Sequence, residues 1–231
     1  MTSSDLDFNR RIREARGIAQ PSAFSPNVTD IPYRTVSIYP SVVLARLGIT
    51  ANQITIGWII LGIVGVVALG SQAYAFRLAG AILLEVAYLL DFVDGEVARL
   101  TNRTSQLGYL LDLAGHGVIK TALFLAIGYG VFASTQRYEM LVLAFLACVG
   151  VMNGHLVPMF VSEAFPQAVP QPAPAATQRS VLRSALSWPT YLFESPGIYL
   201  LVLLGAIFNR LDWVLVFYGI LGPLWFLYRL V

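Results

Sequence analysis

The sequence has few charged residues and a single cysteine. Only 12% of its 231 residues are charged and the net charge is +2, whereas soluble domains carry about 25% charged residues. The one cysteine, Cys148, lies inside an apolar run, so no intramolecular disulfide can form. We expect Cys148 to pack as a small hydrophobic residue rather than to act as a reactive thiol. These shortages exclude an ordinary soluble domain and a disulfide-rich scaffold.

The N-terminal segment lacks the apolar core of a signal peptide, because residues 1–20 are polar and rich in arginine. We therefore expect membrane insertion to depend on the first internal apolar segment. The chain also has no internal repeat, no glycine-rich phosphate loop and no nucleic-acid motif. Anionic lipid explains the basic N-terminus better than nucleic acid does, so we expect membrane lipids as partners and no nucleic acid.

Long apolar runs dominate the rest of the sequence, which is 57% hydrophobic. A helix needs about 20 residues to cross about 30 Å of hydrocarbon. Six segments predict an all-α integral membrane bundle of six transmembrane helices within residues 51–231. These predicted spans lie at about residues 54–73, 76–93, 107–133, 139–162, 195–209 and 211–230.

Residues 1–50 are expected to form a cytoplasmic N-terminal segment with surface helices. Residues 33–48 have the pattern of an amphipathic helix on the membrane surface, and residues 5–16 form either a second such helix or a solvated tail. A Pro-rich cytoplasmic loop is predicted at about 163–190. Six spans put both termini on one side of the membrane. Placing them in the cytoplasm gives eleven cytoplasmic arginines against three outside, in agreement with the positive-inside rule.

Three acids and a histidine lie at the cytoplasmic ends of the second and third predicted spans. Asp91 and Asp94 are three residues apart, and Asp112 and His116 are four apart, so each pair projects from one face of its helix. Carboxylates at membrane depth are costly and usually serve an ion or a substrate. They predict a site for a hard divalent cation such as Mg²⁺, with His116 as a base. The alternative is that the acids pair with nearby cations in a structural network: Arg99, Arg103 and Lys120.

The spacing of these residues resembles the signature of the CDP-alcohol phosphatidyltransferases, Asp-x2-Asp-Gly-x2-Ala-Arg-x8-Gly-x3-Asp-x3-Asp. Seven of its eight fixed positions match in type and spacing. The matching residues are Asp91, Asp94, Gly95, Ala98, Arg99, Gly108 and Asp112. The segment Gly48-Ile-Thr-Ala-Asn52-Gln-Ile-Thr55 is similar to the Thr-Pro-Asn-x-x-Thr sequence at the start of the family's first span. The resemblance covers about residues 45–120.

The resemblance implies an enzyme of phospholipid biosynthesis that displaces CMP from a CDP-linked lipid or alcohol, with the hydroxyl of a small acceptor alcohol as nucleophile. It implies Mg²⁺ or Mn²⁺ at Asp91, Asp94 and Asp112, and it makes a homodimer plausible. Metals and positioning carry phosphoryl transfer, in agreement with such a site. Substrate contacts are implied for a further set: Asn52, Thr55, Gly95, Ala98, Arg99 and Gly108. Lys120, one turn beyond His116, is expected either to meet a phosphate or to pair with an acid.

The sequence departs from the family at His116, where the signature has an aspartate. A positioned imidazole is the commonest general base, but it is a better ligand for Mn²⁺ or Zn²⁺ than for Mg²⁺. Three interpretations stay open: His116 is an exchanged catalytic base, the metal site is altered, or transfer activity is lost. In the last case the protein binds a CDP-lipid or acts as a membrane scaffold. A transporter fits less well, because the acids lie at one end of two spans and no broken-helix repeat is evident.

Overall fold

The computed structural model describes residues 3–20, 30–164 and 188–230, and these residues form helices without a strand. The all-α prediction is therefore confirmed. The helices are α1 (Ser3–Ala19), α2 (Ile31–Arg46), α3 (Ala51–Leu69), α4 (Tyr74–Leu100), α5 (Gln106–Thr135), α6 (Glu139–Ala164), α7 (Trp188–Tyr191), α8 (Ser195–Ile207) and α9 (Leu211–Leu230). Most of the predicted Pro-rich loop, with Arg179 and Arg183, lies outside the described residues.

Among the described residues, four helical segments are long and apolar enough to cross a membrane: α3, α5, residues Glu139–Val157 of α6, and α9. The other two predicted spans are also helical. Of these, α8 is apolar but has only 13 residues, and α4 has 27 residues but carries acidic and basic side chains along its length. Large apolar side chains remain exposed on the long helices, including Val67, Phe145 and Trp213. Such exposure is typical of an integral membrane protein and not of a soluble one.

The chain divides into two compact units, and the first comprises residues 1–62 and 84–116. In this unit α1 packs on α2 through buried side chains that include Ile12 and Ile38. A second apolar cluster joins α3 to α4 through Ile54 and Val93. Full burial of one such side chain contributes about 1.5–3 kcal/mol. These contacts fix the helices from which the predicted site residues project.

Two tight turns set the helix ends in the first unit. α2 ends in a Schellman motif whose left-handed residue is Gly48, with φ of 75°, a conformation that glycine adopts without steric cost. α4 ends in the same motif with Asn102 at φ 52°. Ser105 then caps α5, because its Oγ accepts a hydrogen bond of 2.9 Å from the Gly108 N–H. The turns thus fix the starts of α3 and α5.

The second unit comprises residues 63–83 and 117–231. In it α9 packs along α6. At their crossing a side chain on Gly150 would meet the backbone of Gly222, and small residues of this kind allow membrane helices to pack closely. Tyr218 of α9 donates a hydrogen bond of 2.6 Å to the Leu192 carbonyl. The predicted metal ligands all belong to the first unit.

Candidate functional site

Asp91, Asp112 and His116 come together in the first unit. His116 Nε2 lies 3.3 Å from Asp91 Oδ1 and 3.6 Å from Asp112 Oδ1. One ligand atom from each residue lies within 4.8 Å of the other two. The three side chains are partly exposed, at 18% for Asp91, 24% for His116 and 37% for Asp112. They form a small group of one nitrogen and two carboxylate donors that solutes can reach.

Asp94 is held apart from this group by α3. Only 8% of the residue is exposed, and its Oδ2 accepts hydrogen bonds from Thr55 Oγ1 at 2.6 Å and from Trp58 Nε1 at 2.9 Å. Thr55 is buried as well, so its hydroxyl serves Asp94 here. The metal-binding role of Asp94 and the substrate-binding role of Thr55 both stay predictions.

Trp58 links Asp94 to the imidazole. Its ring centroid lies 5.0 Å from that of His116, at an interplanar angle of 36°, while its Nε1 donates to Asp94. The close approach of α3 to α5 requires glycine at position 115, because a Cβ there would lie 2.7 Å from the Trp58 ring. Sequence reasoning missed Trp58, since a tryptophan in an apolar run gives no sign of a polar partner.

The donor set fits a divalent cation. Asp112 Oδ1 is buried and accepts no hydrogen bond from any described residue. Two carboxylates and an imidazole this close leave negative charge uncompensated, which a cation would neutralise. Carboxylate oxygens suit Mg²⁺ and Mn²⁺, and the histidine nitrogen shifts the preference toward Mn²⁺ or Zn²⁺. Asp91, Asp112 and His116 are therefore the residues that could hold a metal.

Arg99 and Gly95 lie next to each other on the same helix. A Cβ at Gly95 would be 3.3 Å from Arg99 Nη1 and 3.5 Å from Nη2, so the guanidinium covers the glycine. Arg99 Nε donates a hydrogen bond of 2.6 Å to the carbonyl of Ala19, the last residue of α1. Ala98, the remaining predicted contact on this helix, is partly buried. An arginine fixed in this way can present a planar donor pair to a phosphate.

Asn52 and Gly108 meet at the turns that begin α3 and α5. Ser105 Oγ donates to Asn52 Oδ1 at 3.2 Å and accepts from the Gly108 N–H. A cleft of about 480 Å³ opens beside them, lined by residues of the two turns that include Asn52, Ser105 and Arg103. A cleft of this size can admit part of a nucleotide or lipid headgroup. Arg103 entered the sequence prediction only as a structural partner of the acids.

Lys120 lies in the second unit, where it is 7% exposed. In that unit His155 Nε2 lies 3.3 Å from Glu194 Oε2. Burial raises the pKa of Glu194, but the hydrogen bond and charge of His155, with the charges of Lys120 and Arg229, outweigh burial and hold that pKa below its usual value. Contact of Lys120 with a phosphate stays a prediction.

Glu96 is a second residue that sequence reasoning missed. It lies two positions after Asp94 in the signature and is fully buried, although glutamate is rarely buried without partners. Its partners come from α2 and from the end of α1. In the sequence, a glutamate so close to Asp94 is expected to belong to the acidic cluster. Its hydrogen-bond donors, which are distant in sequence, show that it instead joins α4 to α2 and to the end of α1.

The comparisons with known proteins agree with the signature. The family model described as CDP-alcohol phosphatidyltransferase matches residues 48–221 of this chain. The chain is also similar to the CDP-diacylglycerol–serine O-phosphatidyltransferase of Saccharomyces cerevisiae, with 30% identity over 146 residues. That alignment covers 62% of this chain and 48% of the yeast protein, so the chain spans about half the length of that relative. The resemblance seen in the signature is confirmed, and the chain belongs to the CDP-alcohol phosphatidyltransferase family.

Proposed function

We propose that the protein is a CDP-alcohol phosphotransferase of phospholipid biosynthesis. It moves a phosphatidyl or phospho-alcohol group from a CDP-linked donor to the hydroxyl of a small acceptor alcohol and releases CMP. The observation that carries the proposal is the convergence of Asp91, Asp112 and His116, within 4.8 Å of one another, in a chain of this family. Two facing helices thereby supply an acidic, metal-competent site beside a base.

Each residue then has a role in the transfer. The acceptor oxygen forms a bond to the donor phosphorus that carries the lipid or alcohol, and the bond from this phosphorus to the bridging diphosphate oxygen breaks, so that CMP leaves. A divalent cation, when bound, supplies positive charge for the diphosphate. Asp91 and Asp112, with Asp94 by family resemblance, would hold that cation. Arg99 binds the diphosphate.

His116 accepts the proton of the acceptor hydroxyl at Nε2. The carboxylate oxygens of Asp91 and Asp112, at 3.3 and 3.6 Å from this nitrogen, stabilise the imidazolium that results. The same distances support a second role, in which Nε2 is a third ligand to the cation. The first role predicts a loss of turnover without a loss of metal affinity, whereas the second predicts that both fall.

A CMP-release assay tests the function and separates the two roles. Purified protein is given Mg²⁺ or Mn²⁺, a series of CDP-linked donors and a panel of acceptor alcohols. If His116 is the base, His116→Ala should lower kcat by roughly 10²–10⁴-fold, with the metal concentration for half-maximal activity unchanged. If it is a ligand, that concentration should rise and His116→Asp should favour Mg²⁺.

Two results would overturn these proposals. The function fails if no donor is turned over and Asp91→Ala changes neither metal nor CDP binding. If instead the native protein is inactive and His116→Asp creates activity, the protein is an inactive family member that binds CDP-lipid or acts as a membrane scaffold.

Serine is the first acceptor to test. The yeast relative is named as a serine O-phosphatidyltransferase and shares 30% identity with this chain over the aligned region. The lipid product formed when the enzyme is given a CDP-linked donor and serine can be identified by mass spectrometry. Incorporation of another alcohol in place of serine would leave the reaction type intact and change only the acceptor.

We also propose six membrane spans with the N-terminal surface helices, both termini and the acidic site at the cytoplasmic face. The support is the four apolar helices, the helical state of α4 and α8, and the uneven distribution of arginine. A homodimer is suggested by family resemblance. Crosslinking of the protein in native membranes tests it, and a monomer at all crosslinker concentrations would reject it.

A further inference from the structure

Glu96 accepts hydrogen bonds from α2 and from Gln20, the residue that follows α1. Its Oε1 accepts from Gln20 Nε2 and from Ser37 Oγ, both at 2.6 Å, and its Oε2 accepts from Ser41 Oγ at 2.6 Å. Glu96, Ser37 and Ser41 are all fully buried. A buried carboxylate is stable only when its oxygens are satisfied, so this contact binds α2 and the end of α1 to α4.

The end of α1 in turn binds Arg99. The Ala19 carbonyl accepts a hydrogen bond from Arg99 Nε at 2.6 Å, and Gln20, the next residue, is the one that reaches Glu96. Ala19 is fully buried in the apolar cluster that α1 forms with α2 and Leu100. Glu96 and Arg99 therefore hold adjacent residues of the same chain segment, one through a side chain and the other through the backbone.

We propose that Glu96 is a positioning residue for the CDP-linked donor, an inference that rests on the proposed function. Glu96 holds Gln20, which keeps the Ala19 carbonyl on Arg99 Nε and so fixes the guanidinium beside Gly95. Glu96 and Gln20 do not touch the reacting atoms. Their effect is to hold Arg99 in one orientation before the diphosphate arrives, which spares the cost of ordering it on binding.

This arrangement gives the N-terminal surface helix α1 a function beyond membrane attachment. With Nε committed to the Ala19 carbonyl, rotation of the guanidinium about its long flexible side chain is restricted. Gln20 Nε2 also donates to the Arg34 carbonyl at 2.7 Å, so loss of the Gln20 side chain removes two hydrogen bonds. This loss would loosen the end of α1 and widen the range of orientations that Arg99 adopts. The donor would then bind less tightly, while the metal ligands and His116, on other turns of α4 and on α5, stay unchanged.

The test compares Gln20→Ala and Glu96→Gln with Tyr33→Phe. Tyr33 also joins α2 to α4 through a hydrogen bond of 2.6 Å, to Glu85, but it contacts neither Gln20 nor Arg99 in that bond. Tyr33→Phe is therefore a control that removes one hydrogen bond to α4, where Gln20→Ala removes two hydrogen bonds, to Glu96 and to the Arg34 carbonyl. We expect Gln20→Ala to raise the donor KM and the Kd for CDP roughly tenfold, with kcat changed less than about twofold. Glu96→Gln keeps one acceptor oxygen and should have a smaller effect. Tyr33→Phe should have none.

A double-mutant cycle with Arg99→Ala distinguishes positioning from general destabilisation. If Gln20 acts through Arg99, Gln20→Ala should have no further effect on the Kd for CDP once Arg99 is alanine. Fully additive effects, or equal effects of Gln20→Ala and Tyr33→Phe, would overturn the proposal. So would hydrogen exchange at the backbone amides of residues 19 and 20 that is no faster in Gln20→Ala than in the native protein.

The binding readout keeps this proposal separate from the proposed function. If the native protein binds CDP without turnover, the function fails, and a weaker Kd in Gln20→Ala still supports the positioning role. If turnover is normal but Gln20→Ala leaves both the donor KM and the Kd unchanged, the positioning role fails and the function stands. A native protein that does not bind CDP at all overturns both.

Discussion

The buried hydrogen bonds of Asp94 to α3 determine where its carboxylate lies. Its Oδ2 is shared between Thr55 and Trp58, at 2.6 and 2.9 Å, and the residue is 8% exposed. Hydrogen bonds to a charged group are stronger than those between neutral groups. The carboxylate is thereby fixed against α3, apart from the group formed by Asp91, Asp112 and His116.

Replacement of Thr55 by valine should remove one of these bonds with almost no change in shape. The buried carboxylate then loses a donor, so we expect the free energy of unfolding to fall by about 1–3 kcal/mol and CMP release to decrease. Thermal unfolding in detergent and the transferase assay measure the two effects. Thr55→Ser keeps the hydroxyl and should retain most of both. Native stability and activity in Thr55→Val would show that this hydrogen bond is dispensable.

At the residue scale the sequence predicted some contacts and missed others for a physical reason. The pair Asp112 with His116 is local, since helical spacing alone puts both on one face. The same spacing pairs Asp91 with Asp94, but Asp94 instead contacts α3. The partners of Asp94 are 36 and 39 residues away. Which acid of α4 accepts hydrogen bonds from α3 depends on how these two helices pack. Spacing within one helix carries no such information.

At the scale of elements, the packing of α3 on α5 depends on Gly115. A Cβ at this position would lie 2.7 Å from Trp58 and 2.7 Å from Ile59, both within α3. Gly115→Ala should therefore force the helices apart and lower the free energy of unfolding by about 1–3 kcal/mol. It should also lower turnover, because Trp58 contacts Asp94 and faces His116.

Gly117→Ala is the control for this prediction. Gly117 lies in the same helix, but a Cβ there would have no neighbour within 4 Å. Alanine is favoured over glycine in a helix by about 1 kcal/mol, so this variant should be as stable as the native protein or more stable. Thermal unfolding and CMP release are compared for both variants. Equal behaviour of the two would contradict the close packing of α3 on α5.

Element bounds were predictable where hydropathy controls them. α3, α5 and α9 occupy the predicted apolar segments within a few residues, because a helix satisfies the backbone hydrogen bonds of a long apolar run within one segment. α4 continues to Leu100, beyond the predicted end of the span at about 93. Its last turns contain charged signature residues, and they remain helical because Glu96 and Arg99 find partners in α1 and α2. Hydropathy does not predict such hydrogen-bond partners, so it placed the end of this helix too early.

For the whole molecule, the membrane assignment rests on two independent patterns. Four helices have the length and apolarity for a crossing, and they expose large apolar side chains that only lipid or another protein would cover. Arginine is concentrated in the segments assigned to the cytoplasm, eleven against three. The first pattern supports insertion, and the second supports the proposed orientation, because basic residues are retained on the cytoplasmic side.

Orientation can be tested with single cysteines at Arg10 and Arg137. Both side chains are largely exposed, at 75% and 52%, and the surface ion pairs they form contribute about 0–1 kcal/mol, so their replacement should be tolerated. Cys148→Ala removes the single native cysteine and provides the background. With six spans and cytoplasmic termini, a membrane-impermeant maleimide should label Arg137→Cys in intact cells, and Arg10→Cys only after permeabilisation. If positions 10 and 137 are labelled from the same side of the membrane, the chain does not cross it an odd number of times between them. That result would reject the proposal that the acidic site faces the cytoplasm after the second span.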